Sequence, residues 1–284
     1  MNVKHIISEI EKVDPGVYNR LDTRRHAMKE FAGIAGRLAL AAVPIALGSM
    51  FKKAYGQTGS SIVSILNYAL TLEYLEAKFY VMGNAATNLI PAADKPGFQT
   101  IGAHETAHVA FLKSAITSLN GTPVAEPTFG FSAGNGSNNG PFKDVFTNYA
   151  LFLAVSQTFE DTGVRAYKGQ AAEPMLMANN DVLTAALNIH SVEARHAAHV
   201  RKLRKTSGGA FLTGEVRPWI TGKQSNIGTT AVQASYDGEE ITNQAGIEIV
   251  NINGQAISAN KASEAFDEPL TMAQVLAIVD PFII

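Results

Sequence analysis

One repeated set of spacings limits what this chain can fold into more than any other feature. Glu73 precedes Tyr80 by seven positions, Glu160 precedes Tyr167 by seven, and the two glutamates lie 87 apart. Two Glu-x-x-His motifs, Glu105/His108 and Glu193/His196, lie 88 apart. One Glu-x-x-His arises easily by chance. Two copies, in register with a second repeated pair, read as the internal duplication of a two-helix unit.

The surrounding sequence supports helices at all four places. Ser60 or Ser61 can cap a first helix running to about Met82, with apolar residues at Ile62, Ile65, Leu66, Ala69 and Leu72. A second is predicted from about Phe98 to Leu119, ending at Asn120-Gly121. A loop rich in glycine and asparagine follows, GTPVAEPTFGFSAGNGSNNG, long enough to cross a structure. Third and fourth helices are predicted over about Lys143–Lys168 and Asp181–Arg204. Two helix pairs joined by one long connection make an all-α four-helix bundle with a crossover after the second helix. The remainder reads as a C-terminal extension of mixed short elements. It contains a strand-like piece at Ile247–Ile252, a turn at Asn253-Gly254 and a capping box at Thr271/Gln274 before a last short helix. The chain thus divides into a leader (1–57), a bundle (58–205) and an extension packed on the bundle (206–284).

The chemistry lies where apolar stripes meet acids. In the first helix the stripe steps on to Glu73, Glu76 and Tyr80, and in the third the stripe through Leu153 and Ser156 reaches Glu160 and Tyr167. A carboxylate on a core-facing stripe is costly unless it is paired or binds a metal. Residues three apart on a helix share a face, so each Glu-x-x-His can aim a carboxylate and an imidazole at one point. Glu76 is either a seventh ligand or an outer acid, since only Glu73 has a duplicated counterpart. His190 and His199 flank the last motif by one turn each. Either can orient a ligand carboxylate or simply pack, and His190 joins Glu76, Tyr80 and Tyr167 as a candidate outer partner. His104, about 100° round from Glu105, is expected to be peripheral, and Asp161 to be a solvent-facing charge.

Residues 60 to 205 resemble the ferritin-like superfamily. Its di-iron and di-manganese members take one glutamate from each of two helices and Glu-x-x-His from each of the other two. The resemblance implies metal ligands at Glu73, Glu105, His108, Glu160, Glu193 and His196, holding two divalent ions, Fe or Mn. Glu105 and Glu193 would bridge, Glu73 and Glu160 would be terminal, and Tyr80 and Tyr167 would support carboxylates. Four carboxylates balance two divalent charges when the imidazoles are neutral. Without metal, crowding should raise carboxyl pKa values. The stretch LNYALTLEYLEAKFY, with the leader and tail, resembles bacterial ferritin-like domain proteins akin to plant desiccation-related proteins. Two activities are compatible with this: reaction with oxygen or peroxide, catalase-like or ferroxidase-like, in oxidative stress or metal handling, or a structural, stress-protective role in which the metal is stabilising or vestigial.

Composition narrows the remaining classes. The chain contains no cysteine, which excludes disulfides, thiolate metal sites and cysteine nucleophiles. A net charge of −2 without a basic run argues against nucleic acid. In the leader, Thr23-Arg24-Arg25-His26-Ala27-Met28-Lys29 precedes the apolar run LALAAVPIALGSMF and then Lys52-Lys53-Ala54-Tyr55-Gly56. That run is shorter than the roughly 20 residues a spanning helix needs. It matches the core of an export signal cleaved after Gly56, and the arginine pair resembles a twin-arginine motif. The alternative is a short buried helix. The expected destination is periplasmic or extracellular, with membrane attachment only through an uncleaved leader, where Val3, Ile6, Ile7 and Ile10 form an amphipathic pattern. The sequence is compatible with a homo-oligomer.

Overall fold

The computed structural model describes residues 61–284, so the leader and Ser60 lie outside the described residues. Four long helices dominate: α1 (Ile62–Ala85), α2 (Lys95–Ser118), α3 (Tyr149–Gln170) and α5 (Asn180–Ser207), with a single turn, α4 (Pro174–Met177), before the last. Contacts are most extensive between α1 and α2 and between α3 and α5, so each repeat is a helical hairpin. Among the described residues no helix is long and apolar enough to cross a membrane.

Capping chemistry sets the boundaries and explains where they depart from the sequence reading. Ser61 caps α1, its hydroxyl accepting from Ser64 N at 3.1 Å. The second helix begins at Lys95 rather than near Phe98, because Pro96 is tolerated in a first turn, where its missing N–H is not needed. The third begins six residues later than Lys143. Residues 141–147 form successive turns, and the Asn148 side chain accepts from Leu151 N at 3.1 Å to start the helix. Asn179 caps α5 in the same way.

The crossover, residues 119–148, is tied to the end of the chain. Gly130 N donates to Phe282 O at 2.8 Å and Ile284 N to Thr128 O at 2.9 Å. A side chain at Gly140 would overlap the carbonyl of Ser132, so the loop closes only with glycine there. In the extension, strands β1 (Asn243–Gln244) and β2 (Ile247–Glu248) form a minimal hairpin. The expected strand to Ile252 stops at Glu248, since Asn251 (φ 54°) and Asn253 (φ 52°) turn left-handed. After the short helix α6 (Ala259–Ser263), Thr271 and Gln274 form the capping box of α7 (Met272–Val279).

The extension buries what would otherwise be the outer face of α3, whose residues from Leu151 to Tyr167 are all buried. Three fully buried arginines fasten it. Arg165 donates to Ser235 O (2.7 Å), Asp237 O (3.0 Å) and Glu268 O (2.8 Å) and pairs with Glu239. Arg204 donates to Asn226 O at 2.8 Å and also engages Gln157. Arg201 makes a two-pronged pair with Asp161, whose Oδ2 also accepts from Tyr236 at 2.8 Å. Asp161 is therefore buried rather than solvent-facing, because residues about 75 positions downstream cover it.

Candidate metal centre

The four long helices bring Glu73, Glu105, Glu160 and Glu193 into the bundle interior, each with 0% exposure. His196 is buried beside them, and His108 reaches in from α2. Such an interior is tolerable only if the charges are compensated.

The imidazoles sort the carboxylates into two groups. His108 Nδ1 lies 3.2 Å from Glu73 Oε2, 3.0 Å from Glu105 Oε2 and 3.3 Å from Glu193 Oε1. His196 Nδ1 lies 2.8 Å from Glu105 Oε1, 3.2 Å from Glu160 Oε2 and 3.9 Å from Glu193 Oε2. Glu73, Glu105, His108 and Glu193 form one cluster suited to a cation, and Glu105, Glu160, Glu193 and His196 form another. Glu105 and Glu193 belong to both, and each turns one oxygen toward each imidazole.

The tyrosines cross-brace the two halves. Tyr80, on α1, donates to Glu160 on α3, and Tyr167, on α3, donates to Glu73 on α1. Each tyrosine therefore supports the glutamate of the opposite repeat, which the sequence spacing alone does not specify. Gly163 sits mid-helix on α3, where glycine costs about 1 kcal/mol relative to alanine. A Cβ there would come within 3.3 Å of both Glu193 Oε2 and Glu76 Oε1.

Charge follows from this crowding. Burial pushes Glu73 up to about 7 and raises Glu76, Glu160 and Glu193, with neighbouring carboxylates adding to the effect at Glu76 and Glu193. Glu105 departs from the expected rise. Burial also works against its charge, but hydrogen bonds and charge from His108 and His196 prevail and hold it down at about 2. Burial would lower both imidazoles, yet their carboxylate partners push His108 up to about 12 and His196 up to about 11. The carboxylates around them therefore favour the charged form of both imidazoles.

Other residues fall into three groups. Glu76 is buried beside the centre yet belongs to neither four-residue cluster. His190 belongs to neither four-residue cluster. Its Nε2 is buried without a hydrogen-bond partner, and burial and Lys168 lower its pKa. His199 packs edge-on to Phe98. His104, by contrast, is not peripheral: its ring stacks on His196, with Nδ1 2.9 Å from His196 Nε2. The one clue to it in the sequence was its place one turn before His108, on the helix that faces α5.

The donor set fits hard or borderline divalent cations, being oxygen-rich with two nitrogens and no sulfur. Both oxygens of Glu193 are buried without an aligned hydrogen bond, the imidazole nitrogens lying 3.3 Å from Oε1 and 3.9 Å from Oε2. Buried carboxylate oxygens in that condition are strongly unfavourable unless a cation compensates them. No curated protein matches the chain. A family model for the ferritin-like domain matches residues 61–206, the stretch that supplies every residue of this centre. The chain belongs to the ferritin-like domain family.

Proposed function

We propose that Glu73, Glu105, His108, Glu160, Glu193 and His196 hold two divalent metal ions, iron or manganese, and that the protein reacts there with oxygen or peroxide. One observation carries this reading: two four-residue clusters share Glu105 and Glu193, whose paired oxygens divide between them. Bound there, the metals would supply redox change and Lewis acidity. The protein's own part is geometric and electrostatic. Glu105 and Glu193 span the two positions, Glu73 and Glu160 close the ends, and Tyr80 and Tyr167 fix the end carboxylates from the opposite hairpin. His104 holds His196 through Nε2, leaving Nδ1 directed at the carboxylates. Anomalous scattering at the iron and manganese edges should show two ions in the bundle, and peroxide should release oxygen or Fe(II) should oxidise. A protein refolded with Fe or Mn that binds less than one equivalent would refute the reading.

The leader supports export by a twin-arginine route, which would let the folded protein be loaded with metal in the cytoplasm before reaching the periplasm or exterior. Fractionation of cells expressing the chain, with and without Arg24→Lys and Arg25→Lys, tests this. Retention of the export phenotype in the double variant would remove that support.

A second reading rests on the complete burial of the four glutamates: the metal is sealed in to stabilise the bundle, in a structural or stress-protective protein. A large fall in melting temperature on chelation, with no turnover of oxygen or peroxide, would favour it.

A further inference from the structure

A second interior feature lies one helical turn from the metal centre. Ala69 is one turn before Glu73, Leu112 one turn after His108, and Ile189 one turn before Glu193. Together with Tyr167 these residues line a hollow between the helices, with a cavity volume of about 20 Å³. A single water centre needs roughly 10–15 Å³. The hollow's wall exposes only apolar atoms, although Tyr68, Tyr167 and Gln170 are among the residues that line it; the Tyr167 hydroxyl is turned away to Glu73. Phe111, 42% exposed, is among its lining residues.

We infer that this hollow binds dioxygen and leads it to the metal centre. The inference rests on the dinuclear reading above. A water or peroxide molecule lodged there would lack the two to four polar partners that a buried polar molecule requires. An apolar diatomic loses nothing by entering. The hollow is too small for an alkyl chain without rearrangement, and its inner wall is the side chain that holds Glu73. The polar approach lies elsewhere, at partly exposed His108 and exposed His104, where ions and protons can pass without crossing apolar surface. The two routes separate by chemistry: charged species along the imidazole side, gas along the bundle axis.

The test reads the hollow with and without metal. Crystals of the full chain in metal-free form are pressurised with xenon, which should give an anomalous peak among Ala69, Leu112, Tyr167 and Ile189. Ala69→Leu fills the hollow and should abolish that peak. Ala186→Leu, at a half-buried rim position, does the same if the first variant folds poorly. In the Fe(II)-loaded protein, two Fe(II) each lose one electron while O2 gains two electrons and two protons to leave as hydrogen peroxide. Under dioxygen that oxidation should slow about tenfold in the filled variants, equivalent to about 1.4 kcal/mol on the barrier. Oxidation driven by added peroxide should not change. No xenon peak in the unsubstituted protein overturns the inference, as does dioxygen oxidation that is indifferent to filling. Either result leaves the dinuclear reading intact when two metals are bound. A chain that takes up no metal overturns both.

Discussion

In the proposed dinuclear site, removing one tyrosine hydroxyl should weaken the metal position whose glutamate lies on the opposite hairpin rather than the one on its own helix. Tyr80 and Glu160 are both fully buried, so Tyr80→Phe leaves a Glu160 oxygen that no water can readily reach. The ring itself is retained, and with it the contacts to Phe79, Phe98 and Phe152. A hydrogen bond to a charged acceptor contributes about 1.5–3 kcal/mol. At about 1.4 kcal/mol per tenfold, that is roughly 10- to 150-fold in affinity, in line with the roughly 10- to 100-fold cost of losing a partner to a metal ligand. The loss should fall on the position formed with Glu160 and His196. Tyr167→Phe should affect the position formed with Glu73 and His108 by a similar factor. Calorimetric titration of the metal-free protein with Mn(II), with anomalous occupancies for each position, separates the two. If Tyr80→Phe lowers occupancy beside Glu73, or leaves both affinities unchanged, the cross-bracing argument is wrong.

Two further outcomes concern the extension. Arg201→Ala would leave Asp161 buried with Tyr236 but without its cation, and should cost about 3–5 kcal/mol in urea denaturation. Asp161→Leu combined with Arg201→Met should recover most of that loss, and equal destabilisation by the single and the double replacement would contradict this account. Burial pushes Glu239 up to about 7 from 4.5, although Arg165 pulls the other way. The folded state then binds the extra proton, so this contribution is fully present below pH 4.5 and is lost as pH rises through 7. Melting curves across that range should show a decline that Glu239→Gln flattens, and an unchanged slope in the variant would show that Glu239 does not contribute.

The helices and their interior acids were legible because helical periodicity is a local property. Glu73, Glu105, Glu160 and Glu193 stand at fixed steps from apolar stripes, and a duplicated spacing is visible without knowing how the hairpins meet. Capping was legible for the same reason at Ser61 and Thr271, where a side chain bonds to a backbone only three residues away. The Asn148 cap is equally local, but residues 143–147 before it carry enough helical pattern to extend the predicted third helix over what are turns.

Contacts between distant segments were not legible in this way. Asp161 looked solvent-facing because nothing within a turn of it forms a cover, and its burial depends on Arg201 and on Tyr236 in the extension. His104 faced away from Glu105 on its own helix, yet the position of α5 places His196 against it. His190 lies close to the ligands in sequence, yet its buried Nε2 meets no hydrogen-bond partner. From the sequence came four helices, an acid and imidazole set and their twofold repeat, since each depends on residues within one or two turns. Tertiary structure decided which tyrosine supports which glutamate, which carboxylates are shared, and which histidine joins the site. Those depend on how two hairpins pack across a common interior, where a change of one turn would exchange the partners while leaving every local spacing intact.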